Sequence, residues 1–231
     1  MLKRYLFIGA PGVGKGTYAG RISETLTIPH IAAGDLLRAE AEKSTPLGKE
    51  IKNTIDKGSF VPDRLIFDLM KERIASLPPK DRSAYILDGY PRSRAQAEFV
   101  FNLHDDVFAV DHVIALRQPF PVILAKMSSR RSCADCGMVY NYASIDEGGI
   151  KMDPLLPKVE GKCDRCGSTK PFITRVDDEY ETVKLRLEKY QTMAAPLELF
   201  YHEKGMITYF DVLGGATKYL PKLLDLMKTI K

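Results

Sequence analysis

The sequence has no apolar run that approaches the ~20 residues needed to cross a bilayer. It also has no internal repeat, low-complexity segment or long linker. A length of 231 residues is enough for one good hydrophobic core, with room for inserted subdomains. The first predicted strand begins at residue 2, which leaves no room for a signal peptide, so we expect a cytosolic protein that does not bind membranes.

The chain has only a small excess of charge. Its 34 Lys and Arg residues against 30 Asp and Glu residues give a net charge of +4. This mildly basic balance suits a protein that binds small polyanions. It is too weak, by itself, to indicate nucleic acid as a partner.

Cysteine is scarce, and its placement is informative. The four cysteines form two Cys-x-x-Cys pairs, Cys133 with Cys136 and Cys163 with Cys166. In a reducing compartment this pattern favours a metal site over disulfides, with free buried thiols as the alternative. Two such pairs complete a tetrahedral zinc site of four thiolates with no open position, which predicts a structural role. Residues 140–162 have too little apolar content to form a core, so the metal would hold this segment together.

A glycine-rich stretch at residues 9–17 follows an apolar run at 2–8 and precedes a helical spacing of apolar residues at 18–26. This order of strand, loop and helix is typical of a phosphate-binding loop, whereas an ordinary turn is the alternative. Backbone N–H groups and the helix N-terminus would bind phosphate oxygens, and Lys15 would reach the outer phosphates. Gly16 stands where a serine or threonine usually follows the lysine, and the hydroxyl comes one position later, at Thr17.

Predicted strands and helices alternate along the rest of the chain, which indicates an α/β fold with a doubly wound parallel sheet. Two short helices, at about 46–57 and 64–75, predict an inserted lobe before the next strand. The apolar run at 84–88 reads as a buried parallel strand that ends in Asp88. That end of a strand is where α/β folds place their sites, so Asp88 is a candidate for orienting Mg²⁺-bound water, with a helix cap as the alternative.

Arginines surround these features. Arg38 and Arg92 lie in segments close to the phosphate loop, whereas Arg130, Arg131 and others flank the cysteine segment. Any one of them could be an ordinary exposed arginine. As a set they suit phosphoryl transfer, which needs alignment and neutralisation of phosphate oxygens more than covalent work by the protein.

Together these stretches resemble the adenylate kinase family of nucleoside monophosphate kinases, in its long form with a zinc-bearing lid. The matching stretches run in the family's order over nearly the whole chain: 9–17, 34–38, 88–92, Gln96, 130–131, the two cysteine pairs, 159–161, 174–178 and 181–186. The resemblance implies the reversible reaction of ATP with AMP to give two ADP, with Mg²⁺. It also implies a monomer with no nucleic-acid partner, and no general base.

The resemblance assigns residues to three roles. Those expected to act on the phosphates are Lys15, Asp88, Arg92, Arg130, Arg175 and Arg186. The triphosphate would be bound by Gly12, Val13, Gly14, Lys15, Gly16, Thr17, Arg130, Val139 and Tyr140. The monophosphate would be bound by Ala33, Arg38, Ser59, Phe60, Val61, Gly89, Tyr90, Pro91, Arg92, Gln96, Arg175 and Arg186. The implied parts are a P-loop core (1–31, 62–128 and 179–231), a helical AMP-binding lobe (32–61) and a zinc-ribbon lid (129–178).

The sequence departs from the family pattern at three places. Lys126 stands where many members carry an arginine that packs on the donor base, so a GTP-dependent AMP kinase is an alternative. The 26 residues between Cys136 and Cys163 make a longer gap than usual, and its part at about 143–153 predicts a mobile surface loop. Ala33 replaces the usual threonine near the acceptor base, which makes a UMP/CMP kinase another alternative.

The donor base stays open, whereas two observations bear on the acceptor base and on a nucleic-acid-binding alternative. The amide of Gln96 matches the amino group and ring nitrogen of adenine, so we predict AMP as the preferred acceptor, with some use of CMP or UMP. A zinc-ribbon module that binds nucleic acid would need clustered basic and aromatic residues. The insert instead carries several acidic residues and few aromatics, which disfavours that class.

Overall fold

The computed structural model describes residues 3–56, 61–103, 107–175 and 178–230. Over these residues the strands are β1 (Arg4–Gly9), β2 (His30–Ala32), β3 (Tyr85–Asp88), β4 (His112–Arg117), β5 (Arg130–Ser132), β6 (Val139–Asn141), β7 (Ile145–Glu147), β8 (Ile150–Met152) and β9 (Ile207–Asp211). The helices are α1 (Lys15–Leu26), α2 (Ala33–Ala41), α3 (Pro46–Asp56), α4 (Asp63–Ala75), α5 (Arg94–Asn102), α6 (Phe120–Ser128), α7 (Tyr180–Glu203) and α8 (Ala216–Thr229). A short 3₁₀ turn, Pro79–Arg82, precedes β3.

Five parallel strands form the central sheet in the spatial order β2-β3-β1-β4-β9. Side chains along β1 alternate between two hydrophobic layers, with Tyr5 and Phe7 on one face and Leu6 and Ile8 on the other. Residues of α1, α6 and α8 cover the first face, and residues of α4 and α5 cover the second. A parallel sheet covered on both faces is the predicted doubly wound architecture, which is thereby confirmed.

Sheet order brings the functional loops to one edge. β1 is the central strand, and its carboxyl end leads into the glycine-rich loop and α1. β3 pairs directly with β1, with Phe7 opposite Asp88. In such sheets ligands bind beyond the carboxyl ends of the strands. The topology therefore places Asp88 beside the glycine-rich loop.

The segment between β2 and α4 contains α2 and α3, which pack on each other. Helix α2 begins at Ala33, with Ala32 as an extended N-cap and Asp35 in the first turn. Ser59 and Phe60, predicted to contact the monophosphate, lie outside the described residues.

The predicted lid segment contains two small antiparallel pairs, β5-β6 and β7-β8. The β5-β6 pair and the cysteine turns share a cluster of Cys133, Tyr140 and Cys163, against which Phe172 packs. The Tyr140 and Phe172 rings lie 4.8 Å apart between centroids. This cluster is small, as expected of a segment whose shape depends on a metal.

The other pair overturns the predicted mobile loop at 143–153. Strands β7 and β8 form a hairpin, and Ile145, Ile150 and Met152 are at most 9% exposed. All three belong to the hydrophobic layer that also contains Val13 of the glycine-rich loop. The backbone of Lys151 forms a bridge to Gly214, next to the end of β9. This hairpin is packed against the core.

The hairpin turn explains why the sequence was misleading. Gly148 and Gly149 have φ values of 58° and 79°, as a two-residue hairpin turn with two left-handed positions requires. Glu147 and Ile150 close the turn as a cross-strand pair. The two glycines and the acidic residues suggested a loop, whereas three alternating apolar side chains are enough to seat a short hairpin.

Candidate active site

The glycine-rich loop is shaped by two glycines that no other residue could replace without strain. Gly12 has a φ of 82°, and a Cβ there would lie 2.5 Å from Met127 Cγ. Gly14 has a φ of 114° and is the N-cap of α1, with no side-chain cap. Because the N-cap is a glycine, no N-cap side chain accepts a hydrogen bond from the first N–H groups of α1. Uncapped N–H groups at a helix N-terminus form an anion site.

Lys15 is folded over this loop. Its Nζ donates hydrogen bonds to the carbonyl oxygens of Gly9, at 2.9 Å, and Ala10, at 3.1 Å. Burial lowers the pKa of Lys15 to about 8, against the opposing effect of Asp88. The positive charges of three arginines lower this pKa further: Arg92, Arg186 and Arg130. These arginines therefore lie close enough to act on the same bound charge.

Two of these arginines are held in place by oxygen acceptors. Arg92 Nε donates to the carbonyl of Gly89 at 2.6 Å. Arg130 Nε donates to Asp178 Oδ2 at 2.7 Å, and the Asp178 side chain is fully buried. The sequence did not predict this role for Asp178. A buried carboxylate beside an arginine is the general feature that indicates this positioning role.

Asp88 lies against the start of α1. A Cβ placed on Gly16 would lie 3.5 Å from Asp88 Oδ2, so glycine at this position leaves the carboxylate room. Burial acts to raise the pKa of Asp88, but His30 and the charges of Lys15 and Arg92 outweigh it, and the pKa is lowered. His30 Nε2 lies 3.8 Å from Asp88 Oδ2. An ionised carboxylate here can accept hydrogen bonds from metal-bound water.

Gln96 lies near these charged groups, in the first turn of α5. Its Oε1 accepts a hydrogen bond from the backbone N–H of Arg92 at 2.6 Å. Its Nε2 donates to Asp63 Oδ1, also at 2.6 Å. A cavity of about 300 Å³ adjoins this amide, lined by Asp63, Arg64, Tyr90, Ala95, Gln96 and Phe99. The amide is thus fixed by two elements that the sequence did not link to it.

The four cysteine sulfurs converge, as the spacing predicts. All four Sγ atoms lie within 4.8 Å of one another. Cys133 and Cys166 are 3.6 Å apart at sulfur, and Cys136 and Cys163 are 3.5 Å apart. Four thiolates at about 2.3 Å from one zinc ion would be about 3.8 Å apart. The sulfur positions therefore fit a tetrahedral zinc ion.

Each cysteine pair is closed by a glycine. Gly137 and Gly167 have φ values of 70° and 74°. Their N–H groups donate to the carbonyls of Cys133, at 3.0 Å, and Cys163, at 2.9 Å. These turns direct both sulfurs of a pair to the same side.

Residues 7–206 match the family model described as adenylate kinase. The chain belongs to the adenylate kinase family. It is 40% identical to "Adenylate kinase 1, chloroplastic" of Arabidopsis thaliana, over 97% of this chain and 78% of that protein. It is also 40% identical to "Adenylate kinase" of Thermodesulfovibrio yellowstonii, over 97% of this chain and 99% of that protein. A third relative, "Adenylate kinase" of Clostridium beijerinckii, is 41% identical over 97% and 98% of the two chains.

Some residues expected of an adenylate kinase lie away from Lys15 or are engaged elsewhere. Arg175 Nε donates to Ser132 Oγ at 2.9 Å, within the lid segment. Arg38 forms an ion pair with Asp35. Tyr140 is 1% exposed in the cysteine cluster.

The side chain of Lys126 contacts the glycine-rich loop. Its Nζ donates to the carbonyl of Val13 at 3.0 Å and to Gln118 Oε1 at 2.8 Å. Burial, and then the charges of Lys15 and Arg130, lower the pKa of Lys126 to about 7. Lys126 therefore links α6 to the glycine-rich loop.

Among the described residues, no helix combines the length and apolarity that a membrane span requires. The longest, α7, carries charged residues along its length and contributes to both hydrophobic layers. Its first half packs with the α1 layer through Val183 and Leu187, and its second half packs on the opposite face. It connects the lid segment to the far edge of the sheet.

Proposed function

We propose that this nucleoside monophosphate kinase transfers the γ-phosphoryl group of ATP to AMP, giving two ADP. One observation carries the proposal. The charges of Arg92, Arg130 and Arg186 act on Lys15 at the N-terminus of α1, and Lys15 and Arg92 help to lower the pKa of Asp88. Although Asp178 pairs with Arg130, the cations outnumber the carboxylates around uncapped N–H groups, which suits two polyphosphates that meet end to end.

The proposed chemistry needs little from the protein beyond position and charge. The acceptor is already a phosphate anion, so no general base is required. Lys15 and the arginines would neutralise the charge that develops on the transferring group. Arginine suits this role because its planar fork binds two phosphate oxygens at once. These side chains would also hold donor and acceptor in line.

Mg²⁺ bound with the triphosphate would supply charge neutralisation for the phosphate oxygens. Asp88 would hold the water shell of the ion, since its lowered pKa keeps it ionised at neutral pH. Thr17 follows at the next position of α1 after Gly16. Its hydroxyl is a second candidate for the same shell.

We assign the triphosphate to the loop Gly12–Thr17 with Arg130, Val139 and Tyr140. The monophosphate is assigned to residues of the lobe, the β3-α5 connection and α7: Ala33, Arg38, Ser59–Val61, Gly89–Arg92, Gln96, Arg175 and Arg186. Arg175 would reach the phosphates only when bound substrates draw the lid inward, since apo geometry is often loose.

The lid segment would exclude water from the transfer. Its second cysteine turn already lies on the core, because Arg165 Nη2 is 3.7 Å from a Cβ placed on Gly20 of α1. Closure would exclude water and so protect ATP from hydrolysis. The phosphoryl group would then be transferred only to the bound acceptor. A structural zinc ion in the four-cysteine site would keep this segment ordered.

AMP is the proposed acceptor because Gln96 presents an amide to the base. Ala33 lacks the hydroxyl of the usual threonine, so some use of CMP or UMP is expected. The paired hydrogen bonds from the Gln96 amide should contribute more to base discrimination than the missing hydroxyl at Ala33. A site built to hydrogen-bond its substrate strongly rejects substrates that leave its polar groups unpaired. Location in the cytoplasm, a monomeric state and the domain boundaries given above belong to the same proposal.

The test is a panel of donors and acceptors in a coupled assay for diphosphate formation. ATP and GTP are each combined with AMP, CMP and UMP, with and without Mg²⁺. We expect the highest kcat/KM with ATP and AMP, and a requirement for Mg²⁺. If CMP or UMP were used better than AMP, the weight placed on Gln96 would be wrong.

A further inference from the structure

The amide of Gln96 has only one orientation that its surroundings allow. Gln96 is 8% exposed. Its oxygen receives the N–H of Arg92, and its nitrogen donates to the carboxylate of Asp63, each at 2.6 Å. A backbone N–H can only donate, and an ionised carboxylate can only accept. Turning the amide over would therefore replace two hydrogen bonds with two repulsive contacts.

The fixing partners come from separate elements. Asp63 is the first residue of α4, and Arg92 lies in the connection between β3 and α5. Ser93 Oγ accepts the N–H of Gln96 at 3.2 Å and so fixes the backbone as the N-cap of α5. Arg92 acts on the amide through its backbone N–H, whereas Asp63 acts through its side chain. The effect of Asp63 on the orientation of the amide can therefore be removed by a substitution.

The fixed amide keeps one hydrogen on Nε2 and one lone pair on Oε1 for a ligand. This donor and acceptor match adenine, whose 6-amino group donates beside the unprotonated N1. Cytosine presents the same pattern, with its 4-amino group beside N3. Hypoxanthine and uracil present the reverse, a carbonyl oxygen beside a ring N–H. The amide could bind the reverse pattern only after turning over.

We propose that Asp63 is a positioning residue that sets the base specificity of the acceptor site through Gln96. By fixing the amide, it admits bases with an amino group beside a bare ring nitrogen and rejects bases with a carbonyl beside an N–H. This inference rests on the proposed function, in which Gln96 contacts the acceptor base. It also sharpens that function, because any secondary acceptor should be CMP and UMP should be rejected.

The test compares AMP with inosine monophosphate, which differs from it only at the reversed edge of the base. The variant Asp63→Asn removes one of the two constraints on the amide, since an asparagine amide can donate or accept, and leaves only the N–H of Arg92. We expect the ratio of kcat/KM for inosine monophosphate to that for AMP to rise about tenfold or more. Asp63→Glu keeps the acceptor and should hold the ratio near the wild-type value. Asp63→Ser, too short to reach Gln96, should raise it.

The matched control is Asp68→Asn, which makes the same change of charge on the same helix. Asp68 pairs with Arg64. This control should leave the ratio unchanged, and thermal melting should show all variants folded. An unchanged ratio in folded Asp63→Asn and Asp63→Ser enzymes would overturn the role of Asp63.

Failure of the proposed function would give a different result. Wild-type enzyme would then fail to prefer AMP over inosine monophosphate, or Gln96→Leu would keep the full preference. A wild-type preference that Gln96→Leu abolishes, but Asp63→Asn leaves intact, would refute only the inference about Asp63.

Discussion

The core and the inserted segment at 129–178 are stabilised by different means, although both supply charge to the same site. The core buries a parallel sheet on both faces and provides Lys15, Asp88 and Arg92. In the cysteine half of the insert, Cys133, Tyr140 and Cys163 form a small buried cluster, and this half provides Arg130. With zinc in the proposed four-cysteine site, the active site would be complete only when this half is seated on the core.

The two halves of the insert also differ in what stabilises them. Its β7-β8 hairpin is packed into the core layer through Ile145, Ile150 and Met152. Gln118 links it to the core as well, since Gln118 Nε2 donates to the carbonyl of Val212 at 2.7 Å and lies 3.5 Å from Met152 Sδ. The part of the insert that packs on the core therefore ends inside the segment that the sequence assigns to the lid.

The largest effect is expected from the core side. Lys15→Met keeps the stem of the side chain and removes its charge, so turnover should fall on the order of 10³-fold or more. Burial disfavours the charge, so the variant should melt at the same temperature as the wild type or higher. Steady-state kinetics and thermal melting measure the two effects. Near-normal turnover would contradict the assignment.

Removal of the metal should act on the cysteine half of the insert. Native protein should contain one zinc ion per chain, and chelation should lower activity on the order of 10²-fold by displacing Arg130. Hydrogen exchange should then show the cysteine turns opening while β7-β8 stays protected with the core. If β7-β8 lost protection together with the turns, the two halves of the insert would not differ in what stabilises them. Absence of metal, with four freely titrating thiols, would exclude the site.

The hairpin provides the matched test on the stability side. Ile150 is 3% exposed, so Ile150→Ala should lower the free energy of unfolding by about 2–4 kcal/mol. Leu156 lies in the same insert and is 50% exposed, so Leu156→Ala should change it by less than about 0.5 kcal/mol. Denaturant unfolding followed by a core probe measures both. Equal effects would mean that the hairpin does not belong to the core.

The smallest effect is the pH dependence of donor use. The pKa of Lys15 is lowered to about 8, so the free enzyme loses this charge as the pH rises past 8. We expect kcat/KM for ATP to fall there, whereas kcat should hold to higher pH because bound phosphate raises the lysine pKa.

Stability should respond to pH with the opposite sign. The unfolded lysine stays protonated up to its ordinary pKa of 10.5, so the unfolded state binds more protons than the folded state between about pH 8 and 10.5. Lys15 should therefore make the protein more stable as the pH rises through this window. Lys15→Met should remove this contribution, which pH-dependent unfolding of both proteins would measure.

Local patterns were enough to predict the parts of the molecule whose chemistry is local. The glycine-rich loop, the strand ending at Asp88 and the cysteine pairs each carry residue types that few other structures require. The alternation of strands and helices predicted the doubly wound sheet, and the cysteine spacing predicted the convergence of the four sulfurs; both are confirmed. The predicted family is confirmed as well.

Contacts between distant segments could not be read in the same way. The pairing of Gln96 with Asp63 joins residues 33 positions apart, and that of Arg130 with Asp178 joins residues 48 positions apart. Lys126 was judged by its family counterpart, although its position beside Val13 depends on how α6 packs under the loop. The hairpin was hidden because only its packing on the core distinguishes it from a glycine-containing loop.

In the proposed function, the core and the insert together transfer a phosphoryl group between nucleotides without losing it to water. Phosphorus NMR of enzyme with ATP, AMP and Mg²⁺ follows this directly. We predict that two ADP appear for each ATP consumed, with no inorganic phosphate, and that the reaction stops at an equilibrium mixture. Steady release of inorganic phosphate, or consumption of ATP at the same rate without AMP, would contradict the claim.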